Sequence, residues 1–213
     1  MQPLRHVICG VILCALPVFN TAQSQDSTFA ELKSGKKFPA QITFTRDGKE
    51  ITLLATGAIQ FSKEAKRGAG EASRYVMAHH MEAATPESLQ TVYAMILERP
   101  VTKQMTLDFE REASAEDFKK MYARFFAKTL QPAEYEQLRS AIDEFMAAFS
   151  VDIKTNERLA LRWLPDNRLV IVLPNATEKV LQPSAIASWI WKAWFSEASQ
   201  LDRAGLVEKL PAR

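Results

Sequence analysis

Apolar and polar residues alternate with a period of two along Phe38–Arg46. Ala40, Ile42 and Phe44 fall on one side, and Gln41, Thr43 and Thr45 on the other. That spacing predicts a half-buried β-strand. Glu50–Phe61 continues the pattern, with Ile51, Leu53, Ala55, Gly57, Ile59 and Phe61 on one side. Asp47-Gly48 lies between the two runs, and such a dipeptide accepts the positive φ of a tight hairpin turn. A third strand is expected over Arg74–Met81, sending Tyr75, Met77, His79 and Met81 to one face.

The pattern then changes to helical spacing and back. Thr85-Pro86-Glu87-Ser88 reads as a helix start, with Thr as N-cap and Pro at the first helical position, and Pro100 ends that helix. Lys103–Arg111 returns to period two, with Met105, Leu107 and Phe109 inward and Thr106, Asp108 and Glu110 outward. Two helices follow, split at Gln131-Pro132. The first is capped by Ser114 and striped by Phe118, Met121, Tyr122, Phe125 and Leu130; the second carries Tyr135, Leu138, Ile142, Phe145, Met146 and Phe149. Arg158–Leu164 alternates again. Arg168–Leu173 is apolar almost throughout, as in a strand covered on both faces. Ser184–Phe195 is a helix with Ile186, Trp189, Ile190 and Trp194 on its stripe, and an amphipathic tail packs loosely after Ser196. Ser62–Ser73, polar and holding Gly68 and Gly70, reads as a loop. The order implies one α+β domain: a largely antiparallel sheet under a layer of helices.

The first 24 residues read differently from the rest. Arg5 precedes the mostly apolar run Val7–Phe19, and Ala22-Gln23-Ser24 offers small residues for cleavage. This is the form of a secretory signal, with a new N-terminus near Gln25. The expected organisation is a signal peptide over 1–24 and a single domain over 25–213, located in the periplasm without a transmembrane anchor once cleaved. Both cysteines, Cys9 and Cys14, lie in the signal. The mature chain would then have no disulfide, no cysteine nucleophile and no cysteine–metal site.

Charge excludes one class. The formal net charge is +2, and losing Arg5 would leave +1. Lys and Arg are interspersed with Asp and Glu rather than gathered into a basic block, so no nucleic-acid footprint is visible.

Catalytic patterns are sparse. His79 and His80 are neighbours on a strand, so they point to opposite faces and cannot chelate one ion together. No third histidine or cysteine remains in the mature chain to complete a zinc site. No Gly-x-Ser-x-Gly elbow occurs, and Gly68-Ala69-Gly70 is too short for a dinucleotide loop. No catalytic set, metal site or cofactor is assigned. The four tryptophans, three of them on one helix, read as core that can also wall an apolar cavity.

Several local patterns in this order resemble the chalcone isomerase-like family, in particular exported bacterial members. They are the Phe38-Pro39 strand opening, the Leu53–Gly57 strand end, Tyr75-Val-Met-Ala-His-His-Met-Glu82, Leu107-Asp-Phe-Glu-Arg111 before Ser-Ala-Glu-Asp-Phe118, and the helix Ile186–Phe195. The resemblance spans most of Phe38–Leu210. It implies an open-faced β-sandwich: a large antiparallel sheet, a helical layer and an apolar cleft between them. In that family the plant enzymes close a chalcone ring, and related members bind fatty acids without catalysis. Both use an arginine just after a Gly-x-Gly-type strand end, a preorganised cation for an enolate or carboxylate.

Here Thr56–Phe61 contains no arginine, and Lys63 is the nearest cation. A lysine attracts an anion but does not reproduce a bidentate guanidinium contact. His80 stands where the family usually has tyrosine. The resemblance with these departures implies a non-catalytic binder of a fatty acid or other small apolar anion, with Lys63, Tyr75 and His80 as ligand contacts. Arg74, Arg111 and Arg162 are candidate replacements for the arginine. The alternatives are an intramolecular lyase or isomerase and a structural or partner-binding domain whose cleft is filled.

Overall fold

The computed structural model describes residues 27–61, 75–83, 89–197, 199 and 201–210. The expected signal, the Ser62–Ser73 loop with Lys63, Arg74 and the helix start at Thr85–Ser88 lie outside the described residues. The architecture is α+β. Seven strands form one antiparallel meander in chain order: β3 (Gln41–Arg46), β4 (Lys49–Phe61), β5 (Tyr75–Glu82), β6 (Lys103–Phe109), β7 (Arg158–Trp163), β8 (Leu169–Val172) and β9 (Glu178–Leu181). Ahead of them β1 (Thr28–Ala30) and β2 (Lys37–Pro39) pair as a separate two-stranded ribbon.

Helices cover one face. They are α1 (Leu89–Glu98), α2 (Ala115–Thr129), α3 (Pro132–Ala148) and α4 (Ile186–Phe195). The Ser114 hydroxyl accepts from the Asp117 amide at the start of α2 (3.0 Å), satisfying one orphan donor of the first turn. Pro132 begins α3 where its missing N–H costs nothing. Between these helices and the sheet, Phe118, Tyr122, Phe126, Phe145 and Phe149 interlock, with edge-to-face rings such as Tyr122 and Phe145 at 4.8 Å.

The Asp47-Gly48 hairpin forms as expected, with φ of 50° and 74°. Four other expectations are corrected. First, Phe38–Arg46 is not one strand. It bends at Ala40, because Pro39 has no amide to continue a ladder, and β2 and β3 join different sheets.

Second, the alternation of Glu50–Phe61 does not keep one face. A bulge between Ala55 and Gly57 inserts Thr56. Ala55 therefore packs with the ribbon side, whereas Ile59 and Phe61 pack under the helices.

Third, Thr106 and Asp108 do not face solvent. Every residue of β6 is buried, because the ribbon lies over its outer face. Asp108 is bound by Lys36 (2.6 Å) and Arg158 (2.9 Å), and Arg158 also donates to the Lys37 carbonyl (2.6 Å).

Fourth, the tail is not loose. A 3-10 turn, Gly205–Val207, packs across the bulge, with Leu206 and Val207 fully buried. The Lys209 amide donates to the Thr56 carbonyl (2.8 Å).

Helix stripes shift by one position in places. Phe126 rather than Phe125 is fully buried on α2, and Trp191 rather than Trp189 on α4. The bulge, the tail and α4 meet at one polar chain inside the apolar layer. The Trp191 indole donates to His79 Nε2 (3.3 Å), Nδ1–H of His79 donates to the Thr56 hydroxyl (2.8 Å), and that hydroxyl donates to the Leu206 carbonyl (2.7 Å). The Trp191 contact selects this tautomer. Burial, with His80 and Lys103 nearby, holds the His79 pKa well below its ordinary value.

Candidate functional site

The paired ends of three strands and the length of one helix build a cleft between sheet and helices. Phe61 ends β4, Tyr75 begins β5 opposite it, and Phe109 ends β6 opposite Tyr75. Their rings form a continuous wall: Phe61 stacks on Tyr75 at 5.0 Å, and Tyr75 meets Phe109 at 5.7 Å. α2 supplies the facing wall with Phe118, Met121, Tyr122 and Phe125, and Trp194 of α4 also lines the cleft. The cleft holds about 760 Å³, a size that suits a small-molecule ligand.

Its rim is charged. Lys120, Arg124 and Lys128 recur every four residues on α2, so they share one face, and Arg111 lies two residues beyond the end of β6. Glu112 and Asp117 are the acids among these lining residues, giving four cations against two carboxylates. Tyr75 and Tyr122 are buried in the aromatic walls, and burial raises both phenol pKa values. Both hydroxyls stay protonated at neutral pH and can donate to an anion.

The expected contacts separate. Tyr75 lines the cleft. Lys63 lies outside the described residues. His80 is on the opposite face of the sheet, where its Nε2 donates to the Pro39 carbonyl (2.8 Å) beneath Phe29. It cannot share a ligand with Tyr75. The two residues are five apart, so strand parity already sends them to opposite faces. Of the candidate arginines, Arg111 reaches the cleft and Arg162 sits on the far face, while Arg74 is outside the described residues. The α2 cations were missed because their stripe reads as an ordinary solvated helix face.

Among the described residues, no three His, Cys, Asp or Glu side chains gather as a metal site. No described helix is long and apolar enough to cross a membrane.

The profile of the family described as chalcone isomerase-like matches residues 65–203, well over half of the chain. The chain belongs to the chalcone isomerase-like family. Among solved structures, this chalcone isomerase-like chain is similar to a fatty-acid binding protein of Arabidopsis thaliana. The TM-score is 0.66 at 14% identity, over 85% of this chain and 96% of that one. At that identity the likeness establishes the fold. No curated protein matches the sequence.

Proposed function

We propose that this chain binds a fatty acid or a similar apolar monoanion, without catalysis, in the cleft between the ends of β4–β6 and helices α2 and α4. The observation that carries this reading is an aromatic cavity of about 760 Å³ opening onto a rim rich in cations. An apolar tail gains from leaving water among Phe61, Phe118, Phe125 and Trp194. The head group stays near Arg111, Lys120, Arg124 and Lys128, whose positive field draws anions to the mouth. The fatty-acid binding of the Arabidopsis neighbour supports the same ligand class. Export to the periplasm belongs to the proposal too, supported by Arg5 and the apolar run Val7–Phe19.

The test is titration with a fluorescent polyene fatty acid, read by energy transfer from tryptophan. Saturable one-to-one binding is expected, and Met121→Trp, which fills the cleft from α2, abolishes it. Absence of binding, or binding indifferent to Met121→Trp, overturns the reading.

One observation favours a second reading. A cation, Arg111, and a protonated phenol, Tyr75, line the same cleft, the minimum for stabilising an enolate during a ring closure. Protein-dependent loss of chalcone absorbance, removed by Tyr75→Phe, would establish the lyase or isomerase function instead.

A further inference from the structure

The sheet curls so far that its two edges meet. Arg46 at the end of β3 bridges to Glu178 at the start of β9 (3.2 Å), and Arg168 before β8 reaches Asp47 in the hairpin turn (2.9 Å). On the face away from the helices this curl encloses a trough of about 870 Å³. Its sides are apolar: Ile42 and Phe44 from β3, Val172 and Val180 from β8 and β9. Its floor is polar. Gln104 and Arg162 stand there on one rung across β6 and β7, with Thr106 beside them.

Arg162 is only 6% exposed. Its guanidinium lies over the Phe44 ring at 3.6 Å, which fixes its plane. Nε donates to Gln104 Oε1 (3.0 Å), and the Gln104 amide donates in turn to the Thr106 hydroxyl (3.0 Å). Nη1 is 3.6 Å from Glu178, beyond hydrogen-bonding distance. Both Nη groups thus make no hydrogen bond among the described residues, although a guanidinium carries five N–H donors. Arg162 lines the trough, so these donors are open to an acceptor placed in it.

Charge is also unbalanced. Arg46 and Arg162 share the single carboxylate of Glu178, as Lys36 and Arg158 share that of Asp108. Each group keeps one excess positive charge. Burial lowers the Arg162 pKa to about 10, so the group is still a cation at neutral pH.

We propose that this trough is a second binding site, for a small monocarboxylate with an apolar body, whose carboxylate accepts from the Arg162 Nη groups. A carboxylate supplies two acceptors to a planar guanidinium, and its apolar body is covered by Ile42, Val172 and Val180. The site lies on the opposite face of the sheet from the helix-side cleft, so the two are occupied independently.

The test uses the purified protein and octanoate. The ¹⁵N resonance of Arg162 Nε, assigned by its loss in Arg162→Gln, reports the trough, and the Trp194 indole reports the cleft. Octanoate is expected to shift the Arg162 resonance saturably, and acetate, lacking the apolar body, is not. Val180→Glu places a carboxylate at a position 38% exposed on an edge strand, where the fold tolerates it. It should weaken the Arg162 response about tenfold or more through like-charge repulsion and leave the Trp194 response unchanged. An Arg162 resonance unmoved by millimolar octanoate overturns the proposal whatever Trp194 does. So does an equal response to acetate, or a response unaffected by Val180→Glu.

Discussion

Lys103 is the first residue of β6 and points into the helical layer, fully buried. Its Nζ has no hydrogen-bond partner and lies 4.0 Å over the Trp163 ring. Burial lowers its pKa from 10.5 to about 8. At pH 7 the amine is still charged, and a fall of that size means about 3 kcal/mol held against the fold. The cation–π contact offsets only part of the desolvation. Lys103→Met keeps a long flexible side chain against Trp163 and removes the charge. The expected gain is about 2 kcal/mol, raising Tm by about 4–8 °C in a chain of this size.

The pH dependence gives an independent check. Between pH 8 and 10.5 the unfolded chain keeps the lysine proton while the native state has lost it, so stability rises with pH across that window. Thermal unfolding followed by circular dichroism at pH 7 and at pH 9.5 measures both effects. The wild type gains stability on going to pH 9.5, and the variant lacks the lysine contribution to that gain. A lower Tm for Lys103→Met at pH 7, or an identical pH dependence in the two proteins, would refute the account.

Two further perturbations probe how the tail and ribbon are held. A Cβ at Gly57 would lie 2.1 Å from the Gly205 carbonyl oxygen, backbone against backbone, so Gly57→Ala should expel the 3-10 turn and cost about 3 kcal/mol or more in denaturant unfolding; a loss under about 1 kcal/mol would show that the tail does not need this approach. His80, buried beneath the ribbon, has its pKa lowered to about 4, chiefly by burial. As pH falls below 6.5 the unfolded chain takes the proton first, so stability is lost between about 6.5 and 4, by about 2 kcal/mol at pH 5. His79 acts in the same direction. Unfolding at pH 7 and pH 5 should show a smaller acid loss for His80→Gln than for the wild type, and equal losses would contradict the assignment.

Much of the fold is written locally. The Asp47-Gly48 turn, the Ser114 cap and the break at Gln131-Pro132 each depend on residues within a few positions of one another. What escaped is non-local. Thr56 looks like any strand residue, and its bulge exists because a turn some 150 residues later packs against it. Asp108 reads as solvated because nothing nearby in sequence announces that Lys36 and Phe38 will cover it. The same limit shaped the sites. Tyr75 reached the cleft through its strand parity, whereas His80 was grouped with it through family register and faces away. The α2 cations become a rim only once α2 is set against the ends of β4–β6.

The helix-side cleft is proposed to hold an apolar monoanion. Native mass spectrometry of the protein purified without detergent tests it most directly. A mass increment from one fatty acid per chain is expected, co-purified or taken up when offered, and absent in Met121→Trp. A clean apo mass that does not change when fatty acids are added would contradict it.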